Sequence, residues 1–153
     1  MQKHAKKTKK AKQGGEYISK PDVPYSDARG GLDYYIMREP INWVGALYTK
    51  KGSIRANHYH PKQEQKLLLV SGKCVSVYKN LKDKNAKVKQ HLVVPGDLVI
   101  TPPNIAHAVI YLEDSIQINL VHGERKPTNY GKHTVPYELV KPDEKEKYMK
   151  MYK

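Results

Sequence analysis

Phenylalanine is absent from this 153-residue chain, and cysteine and tryptophan occur once each. A single cysteine, Cys74, excludes an intramolecular disulfide framework and a cysteine-built metal cluster. No apolar run approaches the roughly 18 residues of a membrane-spanning helix. The polar, lysine-rich N-terminus lacks the apolar stretch of a secretory signal. Together these absences imply a soluble protein of a reducing, cytoplasmic setting. They also place Cys74, which lies in an apolar run, in the core rather than at a reaction centre. With 12 tyrosines and no phenylalanine, tyrosine is the default aromatic filler, so none is marked for chemistry by its presence alone.

Acidic residues are scarce: 15 Asp and Glu stand against 28 Lys and Arg, for a net charge of +13. Residues 1–20 carry seven lysines and one glutamate, so nearly half of the excess belongs to one end. No helix-turn-helix, zinc-finger or RNA-binding motif accompanies the charge, which argues against a specific nucleic-acid partner. The remaining positive charge favours a small anionic ligand such as a diphosphate. Residues 1–24 read as a flexible basic tail and linker, with Gly14-Gly15, Pro21 and Pro24 as breakers.

From about residue 30, short runs rich in Val, Ile, Leu, Tyr and Thr alternate with turn residues, the rhythm of an all-β sandwich or barrel. Strands are predicted over 32–37, 42–48, 53–58, 65–70, 73–79, 88–94, 97–100, 106–112 and 115–121. Only 143–152 reads as a helix. The expected organisation is a barrel over 25–140 with a short C-terminal helix or tail over 141–153.

Chemistry concentrates at His58-Tyr59-His60 and His107. Two histidines two apart on a strand share one face, and a strand returning 47 residues later brings the third to them. Three convergent imidazoles can hold a divalent metal or move protons on and off a substrate. Strand parity groups Ile54, Ala56, His58 and His60 on one face, and Gln65, Leu67 and Leu69 on another. By the same parity Tyr59 and Arg55 point away from His58 unless a bulge re-aims them. Tyr111 lies four residues after His107 on its face and is the acid candidate. His4, His91, His122 and His133 stand outside any cluster and read as surface. Residues 129–133 read as a turn that closes the barrel mouth.

The spacing resembles the two motifs of the cupin superfamily. A glycine, five residues, His-x-His and a closing glycine are met by Gly52, His58, His60 and Gly72. A glycine, five residues, a proline and a histidine are met by Gly96, Pro102, Asn104 and His107. The resemblance implies a jelly-roll, or double-stranded β-helix, barrel. In metal-binding cupins it also implies a His, His, Glu, His ligand set. Here Gln65 stands at the carboxylate position, with Glu64 next to it, and only one of the two can face inward on a regular strand.

Asp27-Ala28-Arg29-Gly30-Gly31-Leu32 and Arg55-Ala56-Asn57-His58-Tyr59-His60 are similar to segments of the nucleotide-sugar cupins. These are the dTDP-4-dehydrorhamnose 3,5-epimerases and the dTDP-4-keto-6-deoxyglucose 3,4-ketoisomerases. Ala56 replaces the family glycine. Gln65 aligns with the epimerases' active-site lysine but suits the ketoisomerases, and Lys66 is expected to face outward. This resemblance implies an isomerase or epimerase acting on a 4-keto nucleotide sugar without a cofactor. His58 would be the base, with His60 orienting it or returning the proton. Tyr111 would be the acid, Gln65 and His107 would contact substrate, and Arg29 and Arg55 would hold the diphosphate. Arg29 also has Asp27 within reach as an ion-pair partner. Two alternatives stay open. One is a metal-dependent oxygenase or lyase with Zn, Fe, Mn or Ni on His58, His60, Gln65 or Glu64, and His107. The other is a non-catalytic small-ligand binder. The family also implies a homodimer.

Overall fold

The computed structural model describes residues 14–153; most of the lysine-rich tail lies outside them. The first strands are β1 (Tyr17–Ser19), β2 (Val23–Asp27), β3 (Gly30–Tyr34), β4 (Trp43–Thr49), β5 (Ile54–Tyr59) and β6 (Gln65–Ser71). They are followed by β7 (Cys74–Asn80), β8 (Lys89–Val93), β9 (Leu98–Thr101), β10 (Ile105–Tyr111), β11 (Ser115–Val121) and β12 (Val135–Pro136). Two short helices, α1 (Tyr130–His133) and α2 (Lys145–Met151), complete the chain. No helix of the described residues is long and apolar enough to cross a membrane.

Two antiparallel five-stranded sheets form the barrel walls, in the orders β1-β9-β6-β11-β4 and β12-β5-β10-β7-β8. The hairpin β2-β3 stands apart as a separate two-stranded sheet. From β4 to β7 successive strands alternate between the two walls, as the strand orders require. In the second wall β10 lies between β5 and β7, which puts the residues around 58 and 107 on neighbouring strands, where His107 pairs with His58.

Period-two alternation sorts the side chains. Leu69, Cys74, Val93, Val99, Val109 and Tyr111 fill the barrel interior. Val75, Val77, Ala108 and Ile110 face outward from the second wall, where Val140, Tyr148 and Leu112 cover them. β10 is therefore buried along its whole length, although its two faces meet different clusters. Cys74 is fully buried, and burial pushes its thiol up to about 12, which suits a core residue rather than a nucleophile.

β1 was not expected. Residues 14–24 read as linker, yet Tyr17–Ser19 pairs with β9 and Ile18 packs on the interior core. Glu16, just before it, is buried between the walls, donated to by Thr101 Oγ1 (2.7 Å) and by the His91 ring (2.9 Å). Specific buried partners such as these leave no mark in composition. β2 and β12 were also unforeseen, and the strand expected over 32–37 lies instead at Gly30–Tyr34.

β5 carries the decisive irregularity. Ala56 and Asn57 both have positive φ, +66° and +55°. Pairing with β10 slips there: Arg55 opposes Val109 and Ala56 opposes Ala108, but His58 opposes His107. One extra residue in β5 thus turns Arg55 and His58 to the same face, while Ile54 packs on the outer cluster. The simple parity set of Ile54, Ala56, His58 and His60 is corrected accordingly. The left-handed backbone explains why a glycine suits position 56. Gly72 has the same basis: φ is +91°, and a Cβ there would lie 2.5 Å from the Asp114 carbonyl.

Asn57 tolerates the left-handed region and uses its side chain to anchor the C-terminal segment. Its Oδ1 accepts from the backbone N–H of Leu139 and Val140, each at 3.0 Å, and its Nδ2 donates to the Val140 carbonyl at 2.9 Å. Asn57→Ala removes all three bonds and adds left-handed strain. A loss of about 3 kcal/mol is expected, read as a lowered urea midpoint. Asn57→Gly, which relieves the strain only, should lose less.

Candidate active site

A cavity of about 440 Å³ opens between the walls. His58, His60, Gln65, Arg55, Arg125 and Tyr130 are among the side chains that line it. Its volume falls in the range of small-molecule sites. The ring centroids of His58 and His60 are 4.7 Å apart, and that of His107 lies 4.8 Å from His58, edge to face. Ligand nitrogens of the three rings lie within 4.8 Å of one another.

His60 is buried and fully engaged. Its Nδ1 is 2.8 Å from the His133 carbonyl, and its Nε2 is 2.9 Å from the Gln65 side-chain oxygen. Arg125 Nη1 lies 2.8 Å from both ring nitrogens. Oxygens at both nitrogens would suit an imidazolium, but burial and the guanidinium oppose the charge and hold the pKa at about 4. The ring is therefore neutral at pH 7. It donates from Nδ1 to His133, and a Gln65 amide turned to donate, or Arg125, satisfies Nε2.

His58 is half-buried. Its Nδ1 is 2.9 Å from the Tyr130 hydroxyl, and its Nε2 is buried without a partner among the described residues. Burial first, then the charges that His107, His60 and Arg125 would present, lower its pKa to about 3. His107 is buried on the floor beneath the other two rings. Its Nδ1 lies 3.1 Å from the Ile105 carbonyl, and burial depresses its pKa as well. It lines a smaller cavity below the open pocket rather than the open pocket itself.

These depressed values make stability depend on pH. His58 and His60 take up protons less readily folded than unfolded, where an imidazole titrates near about 6.5. Their contribution is therefore complete above that pH and lost as pH falls toward 4 and 3. Between pH 7 and pH 5 the expected loss is on the order of 2–4 kcal/mol, read from denaturant midpoints. The loss should shrink in a His58→Asn, His60→Asn double variant.

Arg125 is the site residue that sequence reasoning missed. It enters from the loop after β11, held by a reciprocal pair of bonds between Asn42 and Gly123 at 2.9 and 2.8 Å. Its Nε and Nη2 are buried without hydrogen-bond partners among the described residues, and burial lowers its pKa to about 10. A lone arginine in a loop has no spacing signal. Tyr130 and His133 lie in the segment read only as a turn; that segment forms α1, and the structure corrects the surface reading of His133. His91, also read as surface, is instead tied to Glu16, whereas His122 is exposed as read. His4 lies outside the described residues.

Tyr111 lines the pocket, but it is buried and its hydroxyl donates to the Gln117 side chain. Tyr130, not Tyr111, is the tyrosine whose hydroxyl meets the His58 ring. Arg55 reaches the pocket but spends its Nε on Thr49 (2.7 Å). Arg29 does not reach this pocket; it is exposed on the β2-β3 hairpin and pairs with Asp27. Gln65 faces inward. Glu64 faces out, 3.4 Å from Lys66, which points away from the barrel interior as expected yet is buried against Glu39.

A divalent metal fits this donor set poorly. Glu64 is on the wrong face, Gln65 is neutral, and no carboxylate lines the open pocket. A cation held by His58, His60 and His107 would sit beside the Arg125 guanidinium, and Glu16, the carboxylate below His107, is already engaged by Thr101 and His91.

No protein-family profile matches the chain, and no curated protein sequence matches it. Solved structures do. A dTDP-4-dehydrorhamnose 3,5-epimerase from Sulfolobus tokodaii is 24% identical, with a TM-score of 0.63 over 78% of this chain and 74% of that one. A 3'-monoepimerase from Streptomyces bikiniensis in complex with dTDP-quinovose is 18% identical, with a TM-score of 0.69 over 84% and 72%. A variant of the 3,4-ketoisomerase from Thermoanaerobacterium thermosaccharolyticum, in complex with TDP-4-keto-6-deoxyglucose, is 16% identical, with a TM-score of 0.66 over 86% and 94%. These likenesses establish the fold as a cupin jelly roll.

Proposed function

We propose that this chain is a cupin-barrel isomerase or epimerase that moves a proton next to the ketone of a 4-keto nucleotide sugar, with no metal or cofactor. The observation that carries the reading is the buried Arg125 guanidinium, its Nε and Nη2 without partners among the described residues, beside neutral imidazoles in a pocket that no described carboxylate lines. Such a cation disfavours bound metal and favours a developing oxyanion. The structural neighbours support the same chemistry by what they act on or hold.

In this mechanism His58 takes the acidic proton at Nδ1, the nitrogen facing Tyr130. Arg125 stabilises the enolate oxygen. Tyr130 delivers its phenol proton to the enolate, and the Nδ1 proton then crosses the 2.9 Å bond to the phenolate. Each proton is accounted for, and the pair returns to its starting state. A ring held at about 3 is a weak base, but the negative charge of the bound substrate and of the enolate favours its charged form in the transition state. Gln65 orients His60, and Arg55 at the mouth offers a fork for the diphosphate.

The exposed apolar surface supports a homodimer as part of this reading. The β2-β3 hairpin is exposed throughout and carries Tyr25, Leu32 and Tyr34; edge strand β4 exposes Trp43, Val44 and Tyr48. A second copy covering these surfaces would let Arg29 serve the neighbouring pocket. Sedimentation should give twice the chain mass; a monomer at working concentration contradicts it. A cytoplasmic location fits the single buried thiol.

The test is incubation with dTDP-4-keto-6-deoxyglucose in deuterated buffer, followed by proton NMR. Loss of the signals beside the ketone, faster than in buffer alone, is expected. Absence of exchange across a set of 4-keto nucleotide sugars would overturn the reading.

A further inference from the structure

Beneath the imidazoles lies a second, smaller cavity of about 10 Å³, room for one water. Its polar lining is Glu16, Gln65, Ser76, Thr101, His107 and Gln117. Two of these residues have unsatisfied atoms: Ser76 Oγ and His107 Nε2 are buried without partners among the described residues, and each residue is no more than 2% exposed. Glu16 has no side-chain exposure and binds Thr101 of one wall and His91 of the other. A carboxylate has lone pairs beyond those two bonds.

We propose that this cavity binds one water that joins Glu16, Ser76 and His107, and that Glu16 is thereby a positioning residue for the imidazole cluster. The water donates one hydrogen to the Glu16 carboxylate and the other to His107 Nε2, and it accepts the Ser76 hydroxyl hydrogen. Three bonds are typical of a buried water, and these three satisfy both orphaned atoms at once. His107 then has one stable form, with its proton on Nδ1 and donated to Ile105 at 3.1 Å. Its ring, edge to face with His58 at 4.8 Å, fixes the floor on which His58 rests. The segment that supplies Glu16 therefore closes the barrel and also sets the tautomer under its site.

Water and tautomer are independent of the proposed reaction; only the effect on turnover rests on it. The experiment is NMR of the full chain labelled with ¹⁵N-histidine, in wild type, Glu16→Gln and Ser76→Ala. Wild type should show His107 protonated on Nδ1 alone, with a cross-relaxation peak between its ring protons and a long-lived water. Glu16→Gln should give a mixture of His107 tautomers, and Ser76→Ala should shift the Nε2 resonance and weaken the water peak. If the His58 reaction holds, Glu16→Gln also lowers kcat about tenfold with little change in KM. A His107 protonated on Nε2, a missing water peak in wild type, or ring resonances unmoved in both variants would each overturn the proposal, whatever the substrate tests return.

Discussion

Replacing His58 with asparagine should lower solvent-proton exchange into a 4-keto nucleotide sugar by about 10²- to 10⁴-fold, the span of a lost general base. Binding of dTDP alone should change little, because His58 contributes no charge at neutral pH. The amide cannot accept a proton, and the Tyr130 hydroxyl loses its imidazole partner at 2.9 Å. Tyr130→Phe separates the two roles: it should retain exchange at the abstracted position and lose delivery of the second proton. Tyr111→Phe, which removes only the hydroxyl bonded to Gln117, should leave exchange near wild type. Equal loss in all three variants would mean that the pocket had been deformed rather than disarmed.

Arg125→Met should separate activity from stability. The guanidinium is buried with two unpaired nitrogens, so its removal relieves an uncompensated charge and the melting midpoint should rise. Turnover should fall about 10²- to 10³-fold, as when an oxyanion donor is removed. The nearby imidazoles should then titrate higher, since Arg125 contributes to lowering both His58 and His60. A residue with a purely structural role would lose stability and activity together. A variant with full turnover would remove Arg125 from the mechanism.

The alternating segments over 65–70, 73–79, 106–112 and 115–121 were legible because period two and the turn residues between them agree, and each appears within a residue or so as β6, β7, β10 and β11. The histidine spacing was legible for the same reason, since it rests on strand geometry. Three parts of the site were not. The bulge at Ala56-Asn57 changes parity with two residues in a conformation that neither side chain announces, and so Arg55 changed faces. Arg125 and Tyr130 arrive from irregular chain and a four-residue helix, where no period exists to read. Glu16 lies in a stretch whose composition resembles a linker, and only Thr101 and His91, 85 and 75 residues away, give it a place. Long-range partners of buried polar groups are the part of a fold that local pattern carries least.

The proposed chemistry depends on a base kept neutral by burial and by nearby charges, Arg125 among them. It is tested most directly by following the His58 ring protons by NMR from pH 8 to pH 4, in buffer free of phosphate and other binding anions. A ring that stays unprotonated until near the bottom of that range is the predicted result. Titration near about 6.5, the ordinary imidazole value, would contradict the account, because His58 would then be neither buried nor opposed by Arg125 in the working protein.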